Sequence, residues 1–263
     1  MLGIGMFSWF GYDLPIQKRL ELIKDAGFDA TGLWWHGEDK HKQPNMVRKI
    51  GLKIDNIHTP FSEPSQLWLD GIDGEDYQNM LISCIEDCET HDISTAVIHL
   101  TSFKENVGVT DIGLKRIGKI IDVAEKRSVK LAFENIATLE HLTCVFMNFA
   151  SPYIGFCYDS GHENWNHPNQ DCLALYGDKL LAVHINDNFG DGDTHMLPFD
   201  GTVNWEDKML KLKLCKDIDY FTLEVAFSRD HEKCLIYANL SAEEYLGLAY
   251  KKAVQLLSMQ QIQ

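Results

Sequence analysis

Residues 6–15 read MFSWFGYDLP, and the reading of this turn decides between two folds. An apolar run, LGIGMFSW (2–9), has the character of a first strand. LPIQKRLELIKDAG (14–27) follows with helical spacing, Pro15 near its start and Gly27 just past its end. An open, doubly wound sheet usually carries a Gly-rich phosphate turn between its first strand and first helix. The single glycine here sits among Trp9, Phe10 and Tyr12, so the turn is not of that kind.

Outward from this turn the same alternation repeats. Further strand candidates are ATGLWW (30–35), KIDNIH (53–58), TAVIHL (95–100), KLAFEN (130–135), IGFCYD (154–159), LLAVHIN (180–186) and YFTLEV (220–225). Helical spacing recurs in 76–91, 110–128, 204–213 and 241–260, with Thr110 and Ser241 as expected N-caps. Strands alternating with helices imply parallel units, and right-handed crossovers can close eight of them into a ring. The expected fold is α/β, a (β/α)₈ TIM barrel forming one domain over 1–263, close to the roughly 250 residues typical of that fold.

The composition, 45% hydrophobic and 24% charged, suits a water-soluble protein with a sizeable core. Lys and Arg number 24 against 39 Asp and Glu, a formal charge of −15, which disfavours nonspecific attraction to polyanions. The first residues lack the basic region and cleavage pattern of a signal peptide, and no apolar run is long enough for a bilayer. Seven scattered cysteines, an odd number, read as reduced thiols. A cytoplasmic protein without membrane association is expected.

The strand ends carry the chemistry. His58 closes the third candidate strand, His99 the fourth, Glu134 the fifth and Asp159 the sixth, with His162 three residues on. His184 closes the seventh and leads into NDNFGDGDTH, which holds Asp187, Asp191, Asp193 and His195; Glu224 closes the eighth. In a (β/α)₈ barrel these ends converge on one face. One such residue is ordinarily structural, but six consecutive strands each delivering His, Asp or Glu is a set that a cation would compensate. Mixed imidazole and carboxylate donors suit zinc, manganese or iron rather than calcium.

In these motifs the chain resembles the xylose isomerase-like, or endonuclease IV-like, barrel superfamily. The resemblance implies a metal core of Glu134, Asp159, His184 and Glu224. It further implies His58, His99, His162, Asp193 and His195 as additional ligands of the endonuclease IV type, for one to three divalent ions with zinc favoured. HMLPFDGTVNW (195–205) resembles the family segment that leads to the next helix, with Asn204 as its cap and Trp205 opening it.

Two chemistries follow. In a sugar or sugar-phosphate isomerase or epimerase, one ion holds adjacent oxygens of an α-hydroxy-carbonyl substrate and steadies an enediolate. Glu134 and Glu224 would move the carbon-bound proton and His162 would steady a substrate oxygen. Trp9, Trp34, Trp35 and Phe61, with Phe7, would shape the pocket, and Lys104 or Arg229 would meet a substrate phosphate. In the alternative, a multinuclear zinc phosphoesterase, the full His-rich set activates water for attack on phosphorus. Gripping a duplex takes several cationic contacts. Only five arginines exist, of which Arg19, Arg48, Arg116 and Arg127 fall in or beside the outer helices. Nucleic acid is therefore not expected as a partner, and a small sugar or sugar phosphate is. Ketose epimerases of this family carry an arginine after the strand-seven histidine. None stands between His184 and His195, which counts against ketose 3-epimerase specificity. Related barrels often pair, so the resemblance leaves a homodimer open, while the sequence itself does not set the oligomeric state.

Overall fold

The computed structural model describes residues 2–103, 107–216 and 218–259. Its strands are β1 (Gly3–Phe7), β2 (Ala30–Trp34), β3 (Lys53–His58), β4 (Thr95–Ile98), β5 (Lys130–Glu134), β6 (Ile154–Asp159), β7 (Leu180–Ile185) and β8 (Tyr220–Leu223). They pair in parallel and in chain order, and β8 closes on β1 through Gly3–Tyr220 to Met6–Leu223. The expected (β/α)₈ barrel is the observed fold. Its helices are α1 (Ile16–Asp25), α2 (Gln43–Lys49), α3 (Ile72–Thr90), α4 (Asp111–Arg127), α5 (Glu140–Asn148), α6 (Ser160–Asn166), α7 (Cys172–Tyr176), α8 (Trp205–Leu214) and α9 (Ala242–Met259).

The expected caps have physical partners. Thr110 accepts from the Gly113 amide at 3.2 Å, and Asn204 accepts from the Asp207 amide at 3.3 Å. Ser241 and Glu244 form a reciprocal capping box, at 2.8 and 3.2 Å. Four helices were not expected: α2, α5, α6 and α7 are five to nine residues long, too short for a sustained 3.6-residue period. α3 starts at Ile72, before the expected 76, because Asp73 and Glu75 favour a first turn.

Two cores result. A large one fills the space between sheet and helices, while Val97, Ala132, Cys157 and Ala182 form a small buried cluster of their own. Gly32 leaves room for the Phe7 ring: a Cβ there would lie 2.8 Å from Phe7 Cε2. Phe7 in turn meets the His184 ring edge to face at 4.9 Å, setting a rigid backing for the site. Among the described residues no helix is long and apolar enough to cross a membrane.

Candidate metal centre

All nine expected ligands gather at the carboxyl ends of the strands. His58, Glu134 and Asp159 are terminal strand residues, His184 is next to last in β7, and His99 and Glu224 lie just past β4 and β8. Glu134, fully within the cluster, faces two ways. Its Oε1 lies 3.3 Å from His184 Nδ1 and 3.2 Å from His162 Nδ1. Its Oε2 lies 3.0 Å from His99 Nε2 and 3.4 Å from His58 Nε2, and those two nitrogens are 3.1 Å apart. Glu224 Oε2 is 2.9 Å from His184 Nδ1. One ligand atom from each of Glu134, Asp159, His184 and Glu224 falls within a 4.8 Å span, as does one from each of His58, His99 and Glu134. A third group hangs from Asp193, whose Oδ2 is 3.4 Å from His162 Nε2 and 3.2 Å from His195 Nε2.

Several atoms at these spacings are left without a hydrogen bond. Glu134 Oε1, His162 Nδ1, both ring nitrogens of His184 and Asp193 Oδ1 are buried with no partner among the described residues. Buried polar atoms are nearly always satisfied. Tetrahedral bonds of about 2.1 Å separate ligand atoms by about 3.4 Å, the spacing seen here. The tautomers agree: a carbonyl oxygen only accepts, so His58 Nδ1 donates to Thr59 at 2.7 Å and His195 Nδ1 to Glu224 at 2.8 Å. In a neutral ring each Nε2 then keeps its lone pair toward the cluster, the arrangement common in metal-ligating histidines. The donor set fits a divalent cation.

The electrostatics agree. Burial pushes the Asp159 carboxyl up to about 7, against the pull of His162. Burial also opposes ionisation of Glu134, but His184 and His99 outweigh it and hold the carboxyl well below its ordinary range. For His195, burial is overcome by Asp193, and the ring is raised to about 10. Charges this closely packed in a dry site need compensation, and here His162, His184 and His195, whose rings are raised in spite of burial, supply it by holding protons that a cation would displace.

Residues outside the ligand set aim it. Asp159 Oδ1 accepts from the His162 amide at 2.6 Å and Oδ2 from Asn186 Nδ2 at 2.7 Å, while Asn135 bonds the Asp159 backbone on both sides at 2.8 and 2.9 Å. Asn135 and Asn186 were not picked out from the sequence, where a lone Asn after a strand has no distinguishing pattern. The three aspartates after β7 divide their work. Buried Asp187 accepts from the amides of Asn188, Phe199 and Val203 and from Trp205 Nε1, at 2.9 to 3.0 Å, and so pins the loop. Asp191 pairs with Lys233 at the surface. Asp193 joins the cluster, and His195 reaches it from a left-handed backbone, φ 45°.

The aromatic residues expected at the pocket separate. Trp34 stacks on His58 at 5.7 Å, and Phe61 meets Trp34, His58 and His99 at 5.1 Å each. Trp9 is exposed on the rim under Arg19. Trp35 is buried and donates to Asp87 on α3 at 2.8 Å, yet it also lines a cavity with Trp34, His58 and Phe61. Lys104 lies outside the described residues. An unanticipated wall stands opposite: Phe103 meets His162 at 5.0 Å and Trp165 at 5.1 Å. Cys157, read as one of the scattered thiols, lies within ligand reach of Glu134 and His184, and burial pushes its thiol up, which keeps it protonated.

Fold and site together define a (β/α)₈ barrel with a carboxylate–imidazole cluster at the carboxyl ends of its strands. The model of the xylose isomerase-like TIM barrel family matches residues 20–243, and the chain belongs to that family. The uncharacterized protein y4fM of Sinorhizobium fredii is 38% identical, over 74% of this chain and 76% of y4fM. Solved structures share the fold, among them two that hold a ligand. D-allulose 3-epimerase from Methylomonas sp. in complex with D-allulose has a TM-score of 0.74 at 14% identity, covering 98% of this chain and 97% of that one. The IolI protein with a bound zinc atom has a TM-score of 0.73 at 16% identity, covering 98% of each.

Proposed function

We propose that this chain is a divalent-metal-dependent isomerase or epimerase of a small sugar or sugar phosphate. The observation that carries this reading is the quartet of Glu134, Asp159, His184 and Glu224, whose ligand atoms fall within 4.8 Å of one another at the barrel mouth. A D-allulose epimerase and a zinc-bound protein of the same fold support it. Zinc is the favoured ion, and manganese and iron suit the same donors. When bound, the cation supplies Lewis-acid polarisation of neighbouring substrate oxygens.

The chain's own groups would do the rest. Glu224 has one oxygen against His184, whereas both oxygens of Glu134 stand within 3.4 Å of imidazole nitrogens. Glu224 is therefore the better placed to take a proton from carbon, and Glu134 to return it only when its Oε2 is released from His58 and His99. His162 would hold a substrate oxygen, and Trp34, Phe61 and Phe103 would exclude water from the reacting carbon. A cytoplasmic setting accords with the seven free cysteines.

The test is solvent deuterium incorporation across a panel of ketoses, aldoses and their phosphates, with metal content measured in parallel. Glu224→Gln should abolish exchange in the substrate that turns over, and unchanged turnover would remove the proton-transfer assignment. A second reading, multinuclear phosphoester hydrolysis, is favoured by the His58–His99 pair on Glu134 Oε2 and by the His162–Asp193–His195 group. Three ions per chain and phosphate release without deuterium exchange would select it.

A further inference from the structure

Arg19 stands out among the described arginines. Arg48 and Arg116 bond backbone carbonyls, Arg127 pairs with Glu86 and Glu89, and Arg229 lies exposed over Phe227. Arg19 is half-buried in α1, with its guanidinium 4.8 Å from the Trp9 ring and no hydrogen bond or ion pair to any described residue. Its Nε is shielded from solvent without an acceptor, and so is Trp34 Nε1. Burial lowers the Arg19 pKa, and Asp13 acts on it only through space. Both residues line a cavity of about 260 Å³ together with Ser8, Trp9, His36 and Gln43.

Two groups of its lining offer donors alone. Arginine and the indole N–H only donate, and Gln43 Nε2 is directed to the His36 carbonyl at 3.4 Å. A guanidinium fork matches a compact oxyanion. The cavity adjoins a second one, also about 260 Å³, through shared Trp34 and His36, and that one reaches His58 of the metal centre.

We propose that Arg19, with Trp34, forms an oxyanion subsite that receives a phosphate or carboxylate group at the end of the substrate remote from the metal centre. The subsite rests on the isomerase reading for the placement of the reacting end alone.

The test is calorimetric titration of the full-length, metal-containing protein with inorganic phosphate and, separately, acetate. It is repeated on Arg19→Met and Arg19→Lys, with metal content and near-ultraviolet circular dichroism as controls for an intact fold. One of the two anions should bind the wild-type protein. Arg19→Met should weaken it by about tenfold or more, and Arg19→Lys by less, since charge without the fork keeps part of the interaction. The tighter anion identifies the group. Binding that is indifferent to Arg19→Met, such as phosphate captured at the metal centre, overturns the proposal, as does the absence of binding by either anion. Loss of deuterium exchange chemistry would leave Arg19-dependent anion binding in place, so the two readings fail separately. With a turned-over substrate in hand, Arg19→Met should raise KM for the anionic form and leave kcat and the uncharged analogue nearly unaffected.

Discussion

Two layers of the barrel interior lie one pleat apart and have opposite chemistry. The inner layer is Val97, Ala132, Cys157 and Ala182, all fully buried and small. Two residues further along the same strands stand His99, Glu134, Asp159 and His184. A strand repeats its direction every second residue, so one backbone geometry sends both sets inward. Position along the strand, not local conformation, decides whether that geometry packs or binds. The small layer lets the strands close tightly, and its one polar group, the Cys157 thiol, lies beneath Glu134 and His184. In the layer above it, Glu134 Oε1 and both ring nitrogens of His184 are buried without a hydrogen bond.

The comparison breaks most severely at Glu134. Glu134→Ala removes one oxygen from the quartet and the other from the His58–His99 pair at once. Metal content measured by mass spectrometry should fall sharply, and turnover should drop by roughly 10²–10⁴-fold, the range for removal of a positioned acid–base group. In the inner layer the expected effect is on stability instead. Ala182→Leu inserts three carbons into a filled ring and should cost about 3 kcal/mol in urea unfolding, with metal content retained.

Carboxylates sharpen the contrast by pH. Partly buried Asp55 accepts from Thr222 at 2.6 Å and from Asn56 at 2.9 Å, and burial raises its pKa to about 6. The folded chain therefore binds this proton more tightly than the unfolded chain. Its contribution is full below the ordinary value near 3.8 and is lost as pH rises toward 6. Asp55→Asn should flatten the stability profile across that window by about 2 kcal/mol, read from urea midpoints at three pH values.

The barrel and the gathering of His, Asp and Glu at its rim were legible because both depend on period and strand end, which a sequence displays directly. NIHTPF, VIHLTS, AFENIA, CYDSGH, VHIND and TLEVAF each end an apolar run with a donor. What was hidden depends on distance across the barrel. Nothing in the chain order says that Glu134 offers one oxygen to His184 and the other to His99. Nor does it say that Asp187 collects donors from as far as Trp205 while Asp191 turns to Lys233. Arg19 carries an ordinary helical pattern in α1, and its cavity exists only because the β1 and β2 ends bring Trp9 and Trp34 beside it. The Phe103–Trp165 wall likewise joins the segment after β4 to α6, which share no motif.

The smallest expected effect falls on the outermost group of the cluster, and it separates the two chemistries. His195 touches Asp193 at 3.2 Å and the Glu224 carbonyl at 2.8 Å, but its side chain is a quarter exposed, unlike His184. His195→Asn removes the ring Nε2 from the Asp193 group and leaves the quartet intact. If carbon–proton transfer at the quartet is the chemistry, turnover should change by about tenfold or less, the lower end of what supporting groups contribute. The ion count in the quartet should be preserved. If water attack on phosphorus needs the His162–Asp193–His195 group, the same substitution should remove one ion per chain and abolish phosphate release. Metal stoichiometry and turnover, measured on the same His195→Asn preparation, therefore report whether the extra donors are the working centre or a scaffold around it.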